Sequence, residues 1–180
     1  MDQPAIIERG PYKYVEAGEG EPLIVLHGLF GALSNFKDVF SHFSGRFRVI
    51  IPMLPIYELP MRKTSAKSLS EHIEGFVAEM GLDKVHLLGN SLGGHVGLIF
   101  TKNNLEKVAS LSLTASSGLY ENAFGNSFPR REDKTFIRDK VAVTFYDPKH
   151  ATEELVDECF EAVNSPEKEL RILAIATSAI

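Results

Sequence analysis

The chain has 180 residues, 44% of them hydrophobic and 24% charged, with a net charge of −5. That balance fits one globular domain with room for an inserted subdomain, and it argues against nucleic acid or an anionic membrane as the main partner. A single cysteine, Cys159, leaves no internal disulfide, no apolar stretch reaches the roughly 18 residues of a bilayer span, and Met1 to Pro4 lacks a secretory leader's features, so a cytoplasmic setting is expected.

The first elements alternate. Pro11 to Pro22 reads as a short extended segment ending in a glycine-rich turn, Ala17-Gly18-Glu19-Gly20. Leu23-Ile24-Val25-Leu26 is a continuous apolar run, the pattern of a strand covered on both faces, and it stops at His27-Gly28-Leu29-Phe30-Gly31. Phe36, Val39, Phe40 and Phe43 then recur at helical spacing within Ser34 to Phe43, before a strand from Phe47 to Ile51 closed by Pro52. Ser68-Leu69-Ser70-Glu71 has the form of a capping box, which places the next helix start at Ser68. Ile73, Phe76, Val77 and Met80 form the apolar stripe of that helix, and Gly81 ends it.

Lys84 to Leu88 is the next strand. It runs into Gly89-Asn90-Ser91-Leu92-Gly93, and a helix-compatible stretch continues to Lys102. Val108 to Thr114 supplies a further strand. Strands and helices in alternation imply parallel units with right-handed crossovers, hence an open, mostly parallel α/β sheet with its ligand crevice at the carboxyl ends of the strands. After Ala115 the rhythm changes. Ser116 to Asp133 is polar and irregular, and Lys134 to Tyr146, Thr152 to Val163 and Pro166 to Ile180 read as helices without a strand between them. Residues 1–115 are therefore expected to form the sheet core and residues 116–180 a helical cap.

G-x-S-x-G between a strand and a helix is the form of a nucleophile elbow, in which a sharp turn lifts the serine hydroxyl toward substrate. Ser91 is the candidate nucleophile. Developing negative charge on a carbonyl oxygen needs preorganised N–H donors, and the candidates are the Leu92 amide and the Leu29 amide, with Phe30 as the alternative if the loop is offset by one. Serine stands where a G-x-G-x-x-G fingerprint needs its second glycine, so a dinucleotide site is disfavoured. No cofactor and no metal are expected.

The chain resembles the α/β-hydrolases, and among them the meta-cleavage-product hydrolases and related small-ester and carbon–carbon hydrolases. The resemblance rests on His27-Gly28, Gly31-Ala32, Ser34-Asn35-Phe36, Gly89-Asn90-Ser91-Leu92-Gly93-Gly94, and Phe145-Tyr146-Asp147 through Thr152-Glu153-Glu154-Leu155. It implies a serine hydrolase acting on a small apolar acyl or ester substrate, with Asn35, Gly28 and Phe30 near that substrate. It also implies an acid and then a histidine after Ser91, following later strands. Cys159 falls where the carbon–carbon hydrolases carry a cap arginine for the substrate carboxylate; Arg171 and Arg130 are the possible replacements.

After Ser91 the only histidines are His95 and His150, and neither is well placed as the base. The expectation is an N-terminal portion of a longer hydrolase, or a chain completed by a partner, with a homo-oligomer also compatible. Val108–Thr114 would then be an open apolar edge, and the last helix would lack a floor. A hydrolase-fold protein that binds a small molecule without chemistry is the competing reading.

Overall fold

The computed structural model describes residues 5–29, 36–119 and 130–178. Among these residues six strands form one mixed sheet in the order β1-β2-β4-β3-β5-β6, from Ile7–Arg9, Tyr12–Ala17, Pro22–Leu26, Arg48–Pro52, Val85–Asn90 and Val108–Thr114 numbered along the chain. β3 to β6 run parallel, and β1 and β2 add an antiparallel edge. The β1–β2 hairpin was not foreseen. Its signal was the Gly10-Pro11 dipeptide: Gly10 takes φ +56 in a two-residue turn that proline's fixed φ can complete.

Among the described residues six α-helices follow in chain order: α1 (Lys37–Phe43), α2 (Ala66–Glu79), α3 (Leu92–Asn103), α4 (Lys134–Ala142), α5 (Glu153–Asn164) and α6 (Pro166–Ser178). α1 lays Val39, Phe40 and Phe43 on one face of the sheet, against Val25, Val49 and Ile51. α2 and α3 cover the other face, burying Leu69, Ile73, Val96 and Phe100 on Ile24, Leu26 and Leu87. Phe76 and Phe100 are fully buried, which contributes about 1.5–3 kcal/mol each before entropy is counted. β3 sends its first crossover to β4 on one side, while β5 pairs on the other. The sheet therefore reverses its winding at β3, and a crevice opens beyond the carboxyl ends of β3 and β5.

Two helix boundaries differ from the sequence reading. α2 begins at Ala66 rather than at Ser68, because the capping residue is Ser65, whose hydroxyl oxygen accepts from the Ser68 amide at 3.1 Å. The Ala66 amide donates instead to the Ser178 hydroxyl of α6, so a distant helix satisfies one of the orphan donors of the first turn. α4 stops at Ala142 rather than Tyr146. Thr144 donates its hydroxyl to the Val141 carbonyl, and consecutive turn bonds replace the helical ladder.

α4 and α5 share a small core of Ile137, Val141, Val156, Cys159 and Val163. α6 joins this pair to the sheet layers: Ile175 lies in the main core, and the Arg171 guanidinium donates to the Leu59 carbonyl. The last helix thus has a floor under Arg171, Ile172 and Ile175, with Leu170 and Leu173 still exposed. β6 has β5 as its only neighbour among the described residues. Its edge is more polar than expected, since Ser110, Ser112 and Thr114 are exposed while Leu111 and Leu113 are half-buried.

Candidate active site

β5 delivers Ser91 to the crevice, and the local sequence forces its geometry. Ser91 sits at φ 52 and ψ −119 between β5 and α3, one of two non-glycine residues with positive φ among those described. Such a conformation costs about 1–3 kcal/mol and persists only where the surroundings over-determine it. They do so here. The Ser91 amide donates to the Thr114 carbonyl at 3.1 Å, and the Ser91 carbonyl accepts from the amides of Gly94, His95 and Ser117 and from the Ser117 hydroxyl. The Asn90 carboxamide donates to both the carbonyl and the hydroxyl of Thr114, locking the residue before the serine onto β6.

The glycines admit close backbone approach. A Cβ on Gly93 would lie 2.1 Å from the Leu26 carbonyl oxygen, and one on Gly89 would lie 2.6 Å from the Gly94 Cα. The Ser91 side chain makes no capping bond to α3. The Leu92 amide belongs to the first helical turn, where no intrahelical acceptor exists and the helix dipole is positive.

The β3 loop closes on this turn from the other side. A Cβ on Gly28 would stand 3.3 Å from the Ser91 Cβ. Leu29 continues the loop, half-buried against the cluster that contains Leu92, Leu54 and Ile56. His27 holds the loop down. Its Nε2 accepts from the Leu54 amide at 3.0 Å, and its Nδ1 lies 2.8 Å from the Gly28 carbonyl oxygen. An amide can only donate and a carbonyl can only accept, so the ring is neutral with the proton on Nδ1.

Burial pushes the His27 pKa below its ordinary value of 6.5, against smaller opposing effects from the Gly28 carbonyl and Glu58. The stability this brings is complete above the unfolded value and is lost as pH falls through the folded one. His72, half-buried beside Tyr12, is lowered by burial in the same direction. Denaturation midpoints should therefore fall as pH drops below about 6.5. His27→Gln, which cannot titrate, should give a shallower fall; an unchanged slope would count against the brace.

The structure brings Ser91, Leu92, Gly28 and Leu29 together. Asn35 and Phe30 lie outside the described residues. His95 is in α3 with its ring against Gly118, and His150 follows Asp147 in a short turn, 6.1 Å from the Phe145 ring. His42 packs edge-on to Phe43. Cys159 is buried in the α4–α5 core with its thiol pushed up to about 11, first by burial and then by Glu158. Arg171 is committed to the Leu59 carbonyl and the Glu167 carboxylate, and Arg130 is exposed. The sequence reading missed the Thr114–Ser117 bracket around the elbow. The two serines carry no local signal of it, because only the β5–β6 pairing brings them beside Ser91.

A family model for the alpha/beta hydrolase fold matches residues 21–165, and the chain belongs to that family. Among curated relatives, a dihydrolipoyllysine-residue acetyltransferase component of an acetoin cleaving system from Pseudomonas putida is 30% identical over 167 residues, covering 87% of this chain and 45% of the relative. A 2-hydroxy-6-oxo-6-phenylhexa-2,4-dienoate hydrolase from Comamonas testosteroni is 27% identical over 176 residues, covering 88% of this chain and 62% of the relative. The chain thus spans about half the length of these relatives. An alpha/beta hydrolase enzyme from the metagenome of Mar Chica lagoon sediments has a solved structure with 36% identity and a TM-score of 0.76, over 97% of this chain and 65% of that one. The 2-hydroxy-6-oxo-6-phenylhexa-2,4-dienoate hydrolase of Rhodococcus sp. strain RHA1 also gives a TM-score of 0.76, at 26% identity, over 98% and 72%.

Proposed function

We propose that Ser91 is the nucleophile of a serine hydrolase that cleaves a carboxylic ester or carbon–carbon bond through an acyl-enzyme. The observation that carries this reading is the strained Ser91 backbone, held at φ 52 against Gly28 and ahead of the α3 N-terminus. In the first step the Ser91 hydroxyl oxygen bonds to the substrate carbonyl carbon and its proton passes to a histidine base. The carbonyl oxygen becomes an oxyanion held by the Leu29 and Leu92 amides. Collapse expels the leaving group, which takes that proton, and water then releases the acid. The base and its orienting acid come from outside these 180 residues, from a further segment or a partner chain.

The substrate is a small apolar acyl compound. The partly buried Leu29, Tyr57 and Leu59, packed against the cluster that holds Leu92, support this. Residues 116–180 act as the cap, and the setting is cytoplasmic. Relatives named as 2-hydroxy-6-oxo-6-phenylhexa-2,4-dienoate hydrolases support carbon–carbon cleavage, whereas the apolar burial of Cys159 supports an ester without a carboxylate. Fluorophosphonate treatment of the protein with its base in place should label the Ser91 peptide, and Ser91→Ala should lose that label. Absence of label at Ser91 in the parent would overturn the reading.

A further inference from the structure

At the far end of β5, roughly 16 Å from Ser91 at about 3.3 Å per strand residue, a second serine meets a histidine and a carboxylate. His86 pairs with Ser110 in the β5–β6 register, and the Ser110 hydroxyl lies 2.8 Å from His86 Nδ1. His86 Nε2 stands 3.3 Å from a Glu21 carboxylate oxygen at the entry to β3. The Phe47 ring packs edge-on against the imidazole, with centroids 5.4 Å apart, and fixes its plane. A carboxylate only accepts, so a proton sits on Nε2, and in the neutral ring the Nδ1 lone pair faces the Ser110 hydroxyl. Nucleophile to base and base to orienting acid is the arrangement that activates a serine. Ser110 is exposed.

We propose that Ser110 is a second reactive serine, with His86 as its base and Glu21 as a positioning residue, that accepts acyl groups from small activated aryl esters independently of Ser91. The Ser110 oxygen bonds to the ester carbonyl carbon while its proton moves to His86 Nδ1. The aryloxide then leaves as the carbon–oxygen bond breaks and takes the proton from His86, so that an O-acyl serine remains.

The backbone phase of β6 supplies one donor for the oxyanion. The Thr114 carbonyl points to β5, since it accepts from Ser91. N–H and C=O of one residue share a side in a strand and alternate along it, so Ser112 and Ser110 also turn their backbone groups to β5 while the Leu111 amide faces the open edge. One donor instead of two costs about 10²–10³ in rate. The reaction is therefore a slow, stoichiometric acylation rather than turnover.

The test uses Ser91→Ala protein and p-nitrophenyl acetate, with the acetyl group mapped by peptide mass spectrometry. Acetylation at Ser110 should outrun that at Ser112, which shares its strand and exposure. His86→Gln should slow it by about 100-fold or more. Glu21→Ala should slow it several-fold, and nitrogen NMR of the His86 ring should then show less of the Nε2–H tautomer, because no acceptor remains at Nε2. Glu21 is 79% exposed in its side chain, so this variant decides the matter even if His86→Gln does not fold. Equal acetylation of Ser110 and Ser112, or a rate indifferent to both substitutions, overturns the proposal. Because Ser91 is absent throughout, neither result bears on its role.

Discussion

Gly93→Ala is expected to destabilise the protein by about 3–5 kcal/mol, the range of severe packing damage. The added methyl would sit 2.1 Å from the Leu26 carbonyl oxygen, 2.4 Å from its carbonyl carbon and 2.7 Å from the His27 carbonyl oxygen. All three are backbone atoms, and Leu26 is fully buried in a central strand, so none can step aside as a side chain would. α3 would have to lift off β3, opening gaps around Val96 and Phe100, which are buried in the same layer. Since a whole domain is stable by only about 5–15 kcal/mol, little would remain.

Gly97→Ala, one turn further along α3, is the matched control. Its methyl would meet the Leu111 Cδ1 at 3.2 Å, a side-chain tip on the edge strand that can yield. Alanine also favours the helix over glycine by about 0.8–1.0 kcal/mol, so this variant should be near neutral or slightly stabilised. Guanidinium midpoints of the two variants should move far apart. Comparable midpoints would mean that α3 is not pinned to β3 at Gly93.

Much of this architecture is legible in the sequence because its signals are local and repeat at short range. The helical stripe of Ile73, Phe76 and Val77 and the continuous apolar run of Leu23 to Leu26 state both element and burial, and both are buried as read. The elbow is legible for a different reason: glycine at positions 89 and 93 records an absence of space that only a close backbone contact creates. Long-range partners leave no such mark. Nothing near Ser65 announces that Ser178 of α6 will take the Ala66 amide, and nothing in Ser116-Ser117 announces that this segment brackets Ser91. The bond that His27 makes to the Leu54 amide is not legible either, since Leu54 lies in another loop and meets it only after β3 and β4 pair.

Ser91→Gly should separate stability from chemistry at the same atom. Positive φ at a non-glycine residue costs about 1–3 kcal/mol, whereas glycine adopts it without strain but gains freedom in the unfolded chain worth roughly 0.5–1 kcal/mol. The balance favours the variant by about 1 kcal/mol. Ser91→Ala keeps its Cβ and therefore the strain, so it should gain nothing. Both should lower ester hydrolysis by about 10⁴-fold or more when the base is present, because the bond-forming oxygen is gone. Urea midpoints and kcat/KM measured side by side check the pair. A Ser91→Gly protein less stable than Ser91→Ala would mean that the turn stores no strain. The physical reason to expect otherwise lies on both sides of the residue. The amide is tied to Thr114 on β6, and the carbonyl receives four donors from α3 and the Ser117 segment. A backbone clamped at both ends cannot relax toward an ordinary φ, so the strain persists for as long as residue 91 carries a side chain.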